Sequence, residues 1–211
     1  MGKYLIILCM CFLTISALAQ QQEAKNVLDK TSAAFEKAGG VEANFDFEFL
    51  EKGKTSGHHV KGEIQLNGDK FKMSTDQGVT WFDGTTQWTY LKNNDEVNIN
   101  TPTEDDLKGI SPYSFFSMYK NGYNYKLGTT RTFKGKPVIE VILTSISDPE
   151  LPRVRVYITK GTYQLWYIEA EYNGNLQKIV ISNYQTGKVF ADSIFKFDKK
   201  QYPTAEIIDL R

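Results

Sequence analysis

The apolar positions change period along the chain. Ala24, Val27, Leu28, Thr31, Phe35 and Ala38 recur at helical spacing while Lys25, Asp29, Lys30 and Glu36 take the other face, so one amphipathic helix is predicted over residues 23 to 38. Gly39-Gly40 ends it, because glycine accepts the left-handed conformation at a helix C-terminus. From there the period is two. Phe45, Phe47 and Phe49 alternate with Asn44, Asp46 and Glu48; Val60, Gly62, Ile64 and Leu66 line one face of a second strand; Asn67-Gly68 turns the chain toward Phe71 and Met73.

The next hairpin is the most aromatic. Asp83-Gly84 separates Gly78-Val79-Thr80-Trp81-Phe82 from Gln87-Trp88-Thr89-Tyr90. As a two-residue loop it sets Trp81 opposite Thr86 and Val79 opposite Trp88, so that Val79, Trp81, Trp88 and Tyr90 share one face. That face holds two of the three tryptophans. A turn at Asn93-Asn94-Asp95 then leads to the strand Glu96 to Ile99.

The meander is interrupted mid-chain. Thr101-Pro102-Thr103-Glu104 offers an N-cap threonine, proline at the first helical position and glutamate three residues after the cap. Ser111-Pro112 starts a second short helix, through Tyr113, Phe115, Phe116, Met118 and Tyr119 to Asn121-Gly122, that is apolar nearly all round and flanked by Gly109 and Gly122. Such a helix has to be covered or inserted into a groove, and its glycines would let it move as a lid. Strands resume at Tyr123 to Leu127, Pro137 to Leu143, Val154 to Ile158, Tyr163 to Tyr172 and, after the Asn173-Gly174 turn, Leu176 to Ile181. The tail to Arg211 reads as ordered, and no linker or repeat divides the chain.

These elements predict a mainly β fold: one curled antiparallel sheet of about ten strands, an incomplete barrel, with the N-terminal helix and the mid-chain helical lid on its concave face. The apolar interior of such a half-barrel is either a packed core or a lined cavity. On the second reading the wall is Phe45, Phe47, Phe49, Ile64, Leu66, Phe71, Met73, Val79, Trp81, Trp88 and Tyr90, and the lid supplies Phe115, Phe116, Met118 and Tyr119.

The first nineteen residues change the picture. Lys3, the apolar run Tyr4 to Leu13 and Ala17-Leu18-Ala19 have the layout of a secretory signal peptide cleaved after Ala19. The run falls short of the about 20 apolar residues of a membrane span. Leu8 and Met10 precede Cys9 and Cys11, where a lipoprotein signal wants a small residue, so a soluble, unacylated mature protein of residues 20 to 211 is expected. Cleavage removes both cysteines, and with them any disulfide, thiolate nucleophile or zinc-thiolate site. The 25 basic and 25 acidic residues balance, which argues against a nucleic-acid partner.

Catalytic constellations are hard to find. His58 and His59 are strand neighbours that point to opposite faces; Asp83 suits a turn; Asp105, Asp106 and Asp148 lack partners of fixed spacing; Ser111 and Ser114 have no nearby histidine. The expectation is a binding protein with no enzymatic activity, metal or cofactor.

At Gly62-Glu63-Ile64-Gln65-Leu66, Phe71-Lys72-Met73, the stretch Trp81 to Tyr90 and the tail Asp192 to Phe197, in that order behind a signal peptide, the chain resembles the periplasmic lipoprotein carrier LolA family from Ala24 to Arg211. The resemblance implies an incomplete barrel closed by a helical lid, whose cavity takes the acyl chains of lipoproteins from inner-membrane release machinery to an outer-membrane acceptor, the carrier acting as a monomeric chaperone. Where better-known members carry a basic residue and proline before the strand of Phe71, this chain has Asn67-Gly68, and Lys70 is the residue that could instead tie sheet to lid. A second reading, a lipid- or lipoprotein-sensing regulatory module on the same half-barrel, is expected to bring an additional domain. A third, a secreted lipid-processing enzyme, lacks a nucleophile, base or metal cluster.

Overall fold

The computed structural model describes residues 2–103, 106, 119–120, 122–146 and 153–211, with side chains from residue 19 onward. Helix α1 (Gly2–Glu36) is longer than predicted, running without a break from the apolar leader into the amphipathic segment. Gly39, at φ +66°, turns the chain out of it. Among the described residues thirteen strands follow: β1 (Gly40–Leu50), β2 (His58–Asn67), β3 (Lys70–Thr75), β4 (Gly78–Phe82), β5 (Gln87–Leu91), β6 (Glu96–Asn100), β7 (Tyr123–Leu127), β8 (Thr132–Phe133), β9 (Lys136–Ser145), β10 (Arg153–Thr159), β11 (Leu165–Tyr172), β12 (Asn175–Lys188) and β13 (Glu206–Asp209). Short 3-10 helices at Asp192–Phe195 and Lys199–Gln201 precede the last strand. No helix among the described residues is long and apolar enough to cross a membrane.

One sheet takes the strands in the order β13-β6-β5-β4-β3-β2-β1-β12-β11-β10-β9-β7, with β8 paired to β9 alone. Its two ends, β13 and β7, do not meet, so the sheet is curled and unclosed. The number of strands exceeds the about ten expected because the tail adds β13, which runs parallel to β6 rather than antiparallel, and because the β8 hairpin is too short to show a period. The curl has a local source at the central pair. Against Gly40, Glu42 and Asn44 of β1, strand β12 sets Lys188, Gln185 and Ser182, one residue too many in each interval. Asn183 (φ +50°) and Gly187 (φ +71°) fall in those two intervals, and bulges of this kind bend a strand and increase its twist.

Helix α1 lies on the concave face against β7 and β9. Ala24, Leu28, Tyr119, Val141, Leu143, Val156 and Ile158 form the core there, all nearly inaccessible. Each Leu- or Ile-sized side chain so buried contributes about 1.5–3 kcal/mol. A smaller cluster, Val41, Leu66, Phe71 and Phe82, closes the sheet near the end of α1. The convex face has its own cover: the 3-10 segment lies against β3 and β4, and Phe195 is fully buried there, edge-on to Phe190 at 5.8 Å.

Two turns differ from expectation in register. Asn67 pairs with Lys70, making Gly68-Asp69 the loop, with Gly68 at φ +57°. Phe82 pairs with Gln87, so the aromatic hairpin closes through the four residues Asp83 to Thr86, with Asp83 Oδ1 accepting from the backbone of Thr85 (3.1 Å) and Thr86 (2.9 Å). The mid-chain cap is displaced by two residues. Asp106 Oδ2 accepts from the Thr103 hydroxyl at 2.6 Å and from the Thr103 amide at 2.9 Å, while the Asp106 amide donates back to Thr103 Oγ1 at 3.2 Å, a reciprocal box made by Thr103 and not by Thr101. Those bonds hold the Asp106 carboxyl below its ordinary pKa. The second predicted helix and the lid residues Phe115, Phe116 and Met118 lie outside the described residues.

Candidate functional site

Helix α1 fills only the half of the concave face beneath β7 to β11, and toward its C-terminal end a cavity of about 840 Å³ is left between helix and sheet. Period two places its wall. On β1 the inward positions are Val41, Ala43, Phe45 and Phe47; across the ladder they meet Leu66, Ile64, Gly62 and Val60 of β2, and beyond these Met73 of β3. On the other side Ile179 and Ile181 of β12 and Leu165 and Ile168 of β11 complete it, and Phe35 of α1 with Ala38 just after the helix forms the roof. Gly62 is there for space: a Cβ at this position would meet the Ser74 carbonyl oxygen and stand 2.6 Å from Cζ of Phe45, so the ring lies over the glycine. Tyr184, brought to the wall by the β12 bulge, has its hydroxyl pushed up to about 12 by burial. The wall is a low-dielectric surface that disfavours charge.

The neutral polar lining residues are Thr31, whose buried hydroxyl donates to the Val27 carbonyl at 3.0 Å, and Asn44, Thr75, Thr162, Gln164, Gln177 and Thr186. Lys37 is the only charged residue among the described lining residues. Among the described residues the cavity is lined by no histidine, cysteine or carboxylate side chain, and no three His, Cys, Asp or Glu side chains gather as metal ligands would. Such a site can sequester apolar matter of chain-like shape, and its described wall offers no nucleophile–base pair.

Of the residues singled out in the sequence, Phe45, Phe47, Ile64, Leu66 and Met73 stand on this wall. Phe49 continues the same strand face beyond the cavity and is half-buried. Phe71 points inward but is sealed, with no exposure, against Phe82 at 5.5 Å. Val79, Trp81, Trp88 and Tyr90 do share a face, as expected, although Trp81 pairs with Trp88 and Val79 with Tyr90; a shift of two residues preserves which side each occupies. That face is the convex one. Phe82 and Thr80 pair with the inward Phe71 and Met73, so their neighbours must point away from the cavity. There Trp81 packs on Phe197 (5.7 Å) and Tyr202 (5.6 Å), and Tyr90 on Tyr202 (4.5 Å), all beneath the tail. Tyr119 is buried under α1, where its hydroxyl donates to Asp29 Oδ1 at 2.9 Å.

Several wall residues went unrecognised. Ile179 and Ile181 alternate visibly in a predicted strand, and that signal would have found them. Tyr163, in the turn between β10 and β11, and Tyr184, re-aimed by a bulge, have none. Among the described residues Lys70 ties the sheet to the tail, through Asp192 at 2.8 Å, and Lys196 approaches Asp83 at 3.6 Å on the same side. His59 is exposed between Asp46 (3.3 Å) and Glu48 (3.6 Å). A second cleft, about 250 Å³, lies beside the tail between Lys72, Trp81, Lys196 and Asp198, apart from the apolar cavity.

Residues 15–146 match a family model described as outer membrane lipoprotein carrier protein LolA. No curated protein matches the sequence. Among solved structures, an uncharacterized conserved protein from Thermus thermophilus is similar with a TM-score of 0.59 at 11% identity, over 89% of this chain and 99% of that one. Mycobacterium tuberculosis lipoprotein LppX is similar with a TM-score of 0.51 at 10% identity, over 80% of this chain and 98% of that one. A LolA superfamily protein from Nitrosomonas europaea gives 0.44 at 9% identity, over 83% and 98%. At these identities the likeness to the first two establishes the shared fold alone.

Proposed function

Because the chain belongs to the outer membrane lipoprotein carrier (LolA) family, we propose that it shields the acyl chains of lipoproteins in the cavity under α1 and carries them through the periplasm from the inner to the outer membrane. One observation carries this reading: a cavity of about 840 Å³ between helix and sheet whose wall is mostly aliphatic and aromatic and whose described lining holds no carboxylate. A buried methylene is worth about 0.8 kcal/mol, so long acyl chains cannot cross water unshielded, and a wall of Ile, Phe, Leu and Met replaces the bilayer as their surroundings. No bond is made or broken in such a cycle. Release requires that part of this energy be offset, and an acceptor that offers its own apolar surface to the chains supplies the offset.

The same reading assigns residues 1–19 to a signal peptide and residues 20–211 to the carrier domain, with inner-membrane release machinery and an outer-membrane acceptor as partners. Mass spectrometry of the protein purified from native periplasm tests it. A lipoprotein recovered in stoichiometric amount, and an N-terminus near Gln20, are expected. Protein that emerges free of acylated material, and takes up no acylated peptide offered to it, refutes the carrier role.

A further inference from the structure

The edge of the cavity is not neutral. Residues 30 and 34 lie on one face of α1, and the turn that follows the helix carries residues 37 and 38 onto the same side, Lys37 N still donating to the Ala33 carbonyl at 3.1 Å. Ala34, Lys37 and Ala38 line the cavity, and Lys30 stands over Tyr163, itself a lining residue, with Nζ 5.2 Å from the ring centre and 3.4 Å from the hydroxyl. Lys37 thus lines the cavity itself and Lys30 stands over one of its lining side chains, the two backbones about two helical turns apart, or roughly 10 Å of rise. Among the described residues neither lysine has a carboxylate partner, whereas Lys25, Lys70, Lys178 and Lys188 each do. The acids nearest in sequence are already engaged: Asp29 by Lys25 and Tyr119, Glu36 by the Ser32 hydroxyl at 3.1 Å. Thr162 and Gln164 add neutral polar side chains to the lining.

A cation beside the last carbonyls of a helix is ordinary, and that accounts for Lys37. It does not account for Lys30, two turns earlier, nor for a described lining that has a lysine and no Asp or Glu. Resting on the acyl-chain reading of the cavity, we infer that the preferred occupant is an amphiphile with an anionic head, its phosphate or carboxylate held at the rim by Lys30 and Lys37 while its chains fill the apolar interior. Two cations at the mouth of a low-dielectric cavity discriminate by head charge, and the advantage weakens with salt because both side chains are exposed.

Displacement of the uncharged probe N-phenyl-1-naphthylamine from the secreted chain tests this at low ionic strength. Dioctanoyl phosphatidylglycerol and decanoate should displace it at concentrations about tenfold lower than dioctanoylglycerol and decanol, respectively, and the gap should close in 0.5 M salt, as expected roughly of screened surface charges. Glycerol 3-phosphate, a head without chains, should displace nothing; if it does, a free phosphate site and not a lipid rim is present, and the inference is wrong. In the double variant Lys30→Gln/Lys37→Gln, whose thermal midpoint should match the parent because both positions are exposed, charged and uncharged ligands should compete alike. Equal competition already in the parent, or a preference that survives the double variant, overturns the inference and leaves the acyl-chain reading standing. Failure of probe and every ligand to bind removes both.

Discussion

Replacing Phe195 with Ala separates the two faces of the sheet. Phe195 has no exposure, meets Phe190 edge-on at 5.8 Å, and anchors the segment that brings Phe197 and Tyr202 onto Trp81. Truncating a fully buried phenylalanine to alanine costs about 3–5 kcal/mol, the transfer of the ring plus the cavity left behind. For a chain of this length each kcal/mol lowers Tm by about 2–4 °C, so a fall of roughly 6–20 °C is expected by circular dichroism. Trp81 should redden in emission as its aromatic cover loosens. The cavity lies across the sheet, so at 10 to 15 °C below the variant's own midpoint, affinity for an uncharged acyl probe should change by no more than about twofold, a fraction of a kcal/mol. A fall in Tm under about 3 °C would mean that the tail is not part of the core. Native near-ultraviolet dichroism with lost probe binding would mean that tail and cavity are coupled, and that the two faces do not act independently.

Four further outcomes follow from the same geometry. Filling the cavity with an acyl ligand should leave Trp81 and Trp88 emission unchanged, because both lie on the convex face; a shift at saturating ligand would place them on the path of the chains. Ile64→Glu sets a carboxylate on the wall between Ala43 and Met73, and since burying an unpaired charge costs several kcal/mol, acyl-probe affinity should fall at least about tenfold in equilibrium titration. Gly62→Ala drives a methyl into Phe45 and the Ser74 carbonyl and should lower stability to denaturant by about 1–3 kcal/mol. Burial works to raise the Asp29 pKa, but hydrogen bonds from Lys25 and Tyr119 outweigh it and hold it below 3.8; the resulting stabilisation is complete above that value and is lost as pH falls through the lower folded one. Asp29→Asn, which keeps an acceptor for Tyr119 but gives up the charge, should therefore differ most from the parent in Tm near neutrality, and the difference should close as the pH is taken below 3.8.

Local pattern determined much of this protein. The alternation Phe45-x-Phe47, the Val60 to Leu66 stripe and the helical spacing of Ala24 to Ala38 each fix a buried face by covalent geometry alone, so the strands, the helix and five wall residues were legible from one sequence. Even an error of two residues in the aromatic hairpin left Trp81 and Trp88 on a common side, because parity survives a shift of two. What alternation cannot give is which of the two sides becomes the inside. That was decided by chain far away: α1 on one face, covering β7 and β9, and the tail from Asp192 to Tyr202 on the other, taking the tryptophans as its own packing surface. The cavity is likewise a product of tertiary structure. It exists because the bulges at Asn183 and Gly187 bend the sheet away from a helix that fills only half of it, and a void of that kind, set by curvature and by where a helix stops, has no periodicity of its own to be read.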